Sequence, residues 1–204
     1  MADRIIPLNI DEHDVIAHYA LASDYKNSNI TGTGFGDRGV FVTVVSGNLS
    51  LDPVTFTTNS YLGKTDYPWV GFNKYPEVTL KVRPAASGDI GCLGITLNQT
   101  AEYDENGQKL LYYKEKADAM QVRLPGESVK IATRGIFTIF ANGVDGVLTP
   151  AAGFKLSATS GKITGCANSD SAKLGLVLGS GTRGANGAPL TDAYSGNFYQ
   201  IKLD

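Results

Sequence analysis

Short runs of alternating apolar and β-branched residues recur along this chain, and no segment holds a helical repeat for long. Val40-Phe41-Val42-Thr43-Val44-Val45 lies between Gly39 and Ser46-Gly47-Asn48, which reads as a strand followed by a turn. Val78 to Arg83 is apolar at every second position until Pro84 stops it. The same reading applies to Val54–Thr57, Ile90–Leu97, Leu110–Tyr113, Ser128–Thr133, Ile136–Phe140, Phe154–Ala158, Lys162–Thr164, Leu174–Leu178 and Phe198–Leu203. That makes about eleven strand candidates, with turn signals every 8–12 residues, the spacing of a sandwich or barrel. Asn106-Gly107 is a strong hairpin signal, Asn142-Gly143 and Asp145-Gly146 form a further break, and Ser160-Gly161 suits a tight hairpin. Helical patterning is confined to two stretches. Asp11 to Leu21 places Val15, Ile16, Tyr19 and Ala20 on one face behind an Asp11 cap, and Lys114 to Val122 has room for two turns. The expected fold is all-β: a compact barrel or sandwich of short antiparallel strands with an extended N-terminal region.

Composition supports that class. The chain has 204 residues with 24 glycines and 8 prolines, more than the ~12% of an average chain. It is long enough to bury a core without disulfides. The formal charge is −2, which argues against a nucleic-acid binder working through a strongly basic surface. The longest apolar run, Gly39 to Val45, falls far short of the roughly 20 residues of a membrane span. Met1 to Pro7 has no basic region ahead of an apolar stretch, so a secretory leader is not expected. The Asn-x-Ser/Thr matches at Asn29, Asn48 and Asn98 are then chance matches. Cys92 and Cys166 sit in small apolar settings and read as buried free thiols.

A soft boundary near residues 73–77 divides the chain in two. Residues 1–76 read as an N-terminal extension with a short helix and strands. Residues 77–204 read as a barrel-like domain with an insertion at about 101–126. Gly91–Leu97 and Leu174–Gly179 faintly echo each other as short apolar strands carrying glycine, which often marks a bulge or a barrel corner.

Signals for chemistry are sparse. Gly34-x-Gly36-x-x-Gly39 and Gly179-x-Gly181-x-x-Gly184 match the dinucleotide pattern. The first runs straight into a strand and the second into Ala185–Pro189, whereas the mechanism needs a helix there. No Gly-x-Ser-x-Gly, Cys-x-x-Cys or His-Glu-x-x-His pattern is present. His13 and His18 are five apart, which does not put them on one helix face. Asp11-Glu12-His13-Asp14 reads as a solvated, charged helix start rather than a metal site. No catalytic residue, cofactor or metal is therefore expected. Two segments are candidates for binding a partner: the apolar start Ile5, Ile6, Pro7 and Leu8, and the aromatic segment Tyr67, Trp69, Phe72 and Tyr75. The first suits an edge strand of its own sheet or an arm added to a neighbouring subunit. The second suits a docking surface, a sugar platform or a loop packed on a sheet.

The order of strands in the second part resembles a known family. Val129–Arg134, Gly135-Ile136-Phe137-Thr138-Ile139, Gly153-Phe154-Lys155-Leu156, Ser160-Gly161-Lys162-Ile163-Thr164, Lys173–Leu178 and a closing strand follow one another. That succession resembles the small β-barrel head-decoration, or capsid cement, proteins of tailed bacteriophages, over about residues 77–204. The start Met1–Pro7 is also similar to phage virion proteins. The resemblance implies a non-enzymatic structural protein on the outer surface of the virion, made in the host cytoplasm. It would bind the major capsid protein and bridge neighbouring subunits, with self-association as a trimer or other multimer on the capsid, no cofactor and no direct contact with nucleic acid or membrane. A tail or baseplate component, or a receptor- or carbohydrate-binding module using Trp69, are the alternatives.

Overall fold

The computed structural model describes residues 4–21, 36–45, 80–89, 91–124, 127–183 and 196–204. Among them the fold is all-β. In chain order the strands are β1 (Ile5–Asn9), β2 (Val15–Leu21), β3 (Phe41–Val44), β4 (Leu80–Pro84), β5 (Gly94–Thr96), β6 (Gln99–Thr100) and β7 (Val122–Arg123). There follow β8 (Ser128–Ala132), β9 (Gly135–Phe140), β10 (Gly153–Leu156), β11 (Ile163–Cys166), β12 (Gly175–Arg183) and β13 (Gly196–Leu203). The α-helix, α1, spans Lys114–Ala119.

Two sheets make the body. One has six strands in the order β1-β9-β13-β12-β10-β11, every pair antiparallel. In the other, β2-β4-β3-β5-β8, pairing returns from β8 to β2 and closes in a ring. Within it β2 and β4 run parallel, as do β6 and β7 in a small separate ladder. The remaining strand pairs are antiparallel, as the sequence pattern predicts. Parallel neighbours need a long crossover, and a long connection separates β2 from β4, while α1 lies between β6 and β7.

The alternating pattern becomes packing where one face is covered. Along β13, Tyr199, Ile201 and Leu203 are buried, whereas Gln200 and Lys202 are exposed. With Phe137, Ile139, Phe154 and Val177 they meet Phe41, Ile95 and Ala132 of the ring in one continuous core. The rings of Phe41 and Phe154 meet edge to face, with centroids 6.2 Å apart. A second cluster, Val40, Val42, Val82, Val129 and Ile131, fills the ring. Strand β3 thus puts Phe41 into the shared core and Val42 into the ring. Burial on both faces explains its near-continuous apolar run.

The two glycine-bearing strands that echo each other solve the same steric problem. A β-carbon on Gly94 would lie 2.2 Å from the Ala132 carbonyl oxygen, and one on Gly175 would lie 2.0 Å from that of Lys202. At both sites two backbones come closer than a side chain permits. The bulge expected in the second strand is present, with the β12–β13 register shifting between Val177 and Gly179.

Residues on either side of position 76 share these sheets. β1 pairs with β9, β2 with β8, and β3 with β4 and β5, and Ile5 and Phe41 lie in the main core. A division at 76/77 would cut through both sheets. The helix expected over Asp11–Leu21 is not formed. Asp11 does cap a turn, accepting from the His13 backbone N–H at 2.9 Å, but that turn is a 3-10 turn over Glu12–Asp14 and leads into strand β2. The β2–β8 register shifts between Ile16 and Tyr19. This bulge stretches the period of two into the 15, 16, 19, 20 spacing that imitates a helix.

The segment at 101–124 carries its own small core of Ala101, Leu110, Ala117, Val122 and Leu124. Leu110–Tyr112, read as part of a strand, is a 3-10 turn instead. Leu110 is buried in that local core while Tyr112 and Tyr113 are exposed, so one anchor replaces alternation. The turn at Asn106-Gly107 is organised by Asp104, whose Oδ1 accepts from the backbone N–H groups of Asn106 and Gln108 at 2.9 and 2.7 Å. Lys116 of α1 pairs with the other carboxylate oxygen of Asp104 and lies 3.3 Å from Glu105 Oε1.

Candidate functional site

Strand β1 is set on the six-stranded sheet by its first residues. The Phe140 N–H donates to the Arg4 carbonyl at 2.7 Å, and the Arg4 N–H donates to the Arg38 carbonyl at 3.2 Å. The Arg4 guanidinium lies 3.5 Å from the Asp37 carboxylate, with the two side chains only 7% and 3% exposed. Burial lowers the Arg4 pKa from its ordinary value, and Asp37 opposes that shift. Thr96 completes the junction, its Oγ1 accepting from the Gly39 and Val40 N–H groups at 3.2 and 3.0 Å. Gly39 is needed there, because it has φ +90° and a β-carbon would come within 2.9 Å of Ile5 and Arg4 side-chain atoms. Backbone of that kind favours glycine.

From this anchor the four N-terminal candidates separate by alternation. Ile5 is fully buried in the main core. It is thereby removed from any partner surface, a correction to the sequence expectation that follows from the inward face of β1. Ile6 and Leu8 point outward, 42% and 51% exposed, and Pro7 is half-buried between them. Ile6 sits opposite Thr138 of β9, which sits opposite Gln200 of β13, so polar residues adjoin the apolar pair. Leu178, at the β12 bulge, is a further exposed apolar residue.

As the edge strand of its own sheet, β1 fulfils one of the two roles the sequence left open. Its edge is poorly suited to strand addition. Pro7 has no N–H to donate, and the register shift between Pro7 and Asn9 makes Leu8 the extra residue of a bulge. Both features blunt edge-to-edge pairing. The opposite edge, β11, is partly covered, since Val144 bridges Ile163 and the Asp145 N–H donates to the Ile163 carbonyl at 2.8 Å. What β1 offers a partner is its side-chain face.

Tyr67, Trp69, Phe72 and Tyr75 lie outside the described residues. Three exposed side chains had no signal in the pattern: Tyr112, Tyr113 and Val147. The tyrosines were masked by a run that reads as a strand.

The described surface also carries recesses. A groove of about 590 Å³ at the end of the large sheet is lined by Asn9, Asp11, Asp14, Arg134, Lys202 and Asp204, with both charge signs mixed. A cleft of about 280 Å³ lies between residues 87–92 and 171–174, with Cys92, Lys155 and Lys173 in its wall. The Cys92 thiol faces the Val42 and Gly94 carbonyls at 3.7 Å, and burial pushes its pKa up to about 11. A thiol so shifted is a poor nucleophile at neutral pH. Asp145 accepts from the hydroxyls of Ser157 and Thr159 at 2.5 and 3.0 Å, and these bonds hold its pKa below the ordinary value. This arrangement closes the β10–β11 hairpin. His13 pairs locally with Asp11 at 2.8 Å. Among the described residues no group of three or more His, Cys, Asp or Glu side chains could hold a metal ion, and no helix is long and apolar enough to cross a membrane. Gly36 and Gly39 of the first dinucleotide-like run lead through Val40 into β3, Gly34 lies outside the described residues, and Gly179 and Gly181 lie within β12.

Comparison with protein-family models, with curated proteins and with solved structures finds no match to this chain.

Proposed function

We propose that this chain is a non-enzymatic virion protein of the tailed-phage capsid-decoration type. It binds the outer capsid surface, bridges neighbouring major capsid protein subunits, and acts in many copies so that avidity multiplies modest contacts. One observation carries the reading. Of the six strands whose sequence resembles cement proteins, β8 lies in the ring and the other five, β9 to β13, are consecutive members of one antiparallel sheet, which the N-terminal strand joins with Ile6 and Leu8 facing outward. A sheet held rigid by a shared core suits a mechanical role, and an exposed apolar pair with polar neighbours suits a docking face.

Ile6→Asp and Leu8→Asp test the docking face, because both side chains are exposed and the core is left intact. Each variant is expected to melt like the parent yet bind undecorated shells about tenfold more weakly, equivalent to about 1.4 kcal/mol. Unchanged binding by both would remove β1 from the interface. Removing residues 1–10 outright is a poor test, since it deletes Ile5 from the core and the edge strand from the sheet.

A further inference from the structure

The turn at Asn106-Gly107 has a second property, independent of capsid binding. Asn106 and Gly107 are exposed, and the Asn106 carboxamide makes no hydrogen bond to the described residues. Gly107 has φ +76°, and a β-carbon there would meet nothing within 4 Å. Only a single turn hydrogen bond, from the Gly107 N–H to the Asp104 carbonyl at 3.1 Å, restrains the amide nitrogen. A second pair, Asn142-Gly143, contrasts with it. Gly143 is buried in a 3-10 turn, and a β-carbon there would lie 2.9 Å from the Ile139 side chain.

We propose that Asn106-Gly107 is a site of spontaneous covalent modification, and that the fold protects Asn142-Gly143 from the same reaction. The Gly107 nitrogen gives up its proton to solvent and attacks Cγ of Asn106. An N–C bond forms, the Cγ–Nδ2 bond breaks, and ammonia leaves with the proton returned. Water then opens the cyclic imide at either carbonyl, giving aspartate or isoaspartate with no change of oxidation state. The isoaspartate product adds one carbon to the backbone between the two N–H groups that Asp104 holds. Either product adds a carboxylate beside Asp104 and Glu105, which already share Lys116. The modification therefore loosens the turn that seats α1.

The test follows the intact chain at mildly alkaline pH by peptide mapping and isoaspartate detection, in native buffer and in denaturant. In native buffer the Asn106 peptide is expected to gain about one dalton several-fold faster than the Asn142 peptide, and in denaturant the two rates converge. Asn106→Gln, an exposed change that leaves the fold in place, is expected to abolish isoaspartate in that peptide. Aged protein should exchange amide hydrogens faster over α1 than fresh protein or the variant. Native-state modification at Asn142 as fast as at Asn106, or none at Asn106, would overturn the proposal.

Discussion

Truncating Phe41 tests whether the ring and the six-stranded sheet are one cooperative body. Phe41 comes from the ring, Phe154 from the large sheet, and both are fully buried in the shared core. Replacing a buried phenylalanine by alanine removes its transfer energy and leaves a cavity, a loss of about 3–5 kcal/mol. For a chain of this size each kcal/mol lowers Tm by about 2–4 °C, so Phe41→Ala is expected to lower Tm by roughly 6–20 °C. Denaturant titration should show a lower midpoint with an unchanged slope, since the surface exposed on unfolding barely changes. The 61° edge-to-face pair adds a coupling that a double-mutant cycle with Phe154→Ala should measure at about 0.5–1.5 kcal/mol. A loss under about 0.5 kcal/mol, the range of surface changes, would refute the reasoning. So would a cycle that closes to zero, because the two rings would then carry no coupling across the shared core.

Three other outcomes are expected. Gly175→Ala should destabilise by more than the about 1–3 kcal/mol of ordinary overpacking, because its β-carbon would strike backbone. Gly179→Ala, where nothing lies within 4 Å, should be tolerated, and thermal melts of the two compare them directly. The Asp104 pKa is lowered chiefly by the Lys116 ammonium and further by the Gln108 and Asn106 N–H groups. Its contribution to stability is therefore complete above about pH 4 and lost as pH falls through the folded value. Hydrogen exchange over residues 104–118 should accelerate in that acid range, and Asp104→Asn should show the faster exchange already at neutral pH. Alkylation near pH 8 should modify Cys166 before Cys92. Both thiols are shifted upward by burial, but Cys92 faces two carbonyls at its buried site, and mass mapping of the first adduct decides the order.

Strands covered on one face were legible because a half-buried strand writes its burial into the sequence every second residue. β13 and β4 are examples, and β3 was legible as a run buried on both faces. Where a bulge interrupts the period, the code misleads, and β2 took on helical spacing through the shift between Ile16 and Tyr19. Leu110–Tyr113 misled for the opposite reason, since a four-residue apolar run carries no period and a local core around Leu110 decided its shape. Strand partners were not legible. Nothing local in Ile5–Asn9 says that it pairs with β9 across more than a hundred residues, or that Arg4 meets Asp37. The candidate site was legible only as an apolar start. Its division into a core side chain, Ile5, and two outward ones, Ile6 and Leu8, depends on which face of β1 the sheet covers.

The most direct measurement is co-sedimentation of the purified chain with undecorated tailed-phage shells, followed by cryo-imaging of the pelleted particles. The account predicts saturable binding and density at symmetry-related positions on the outer surface, with the large sheet's β1 face against the major capsid protein. Absence of binding to shells, with assembly into tubes or attachment to glycans instead, would contradict it.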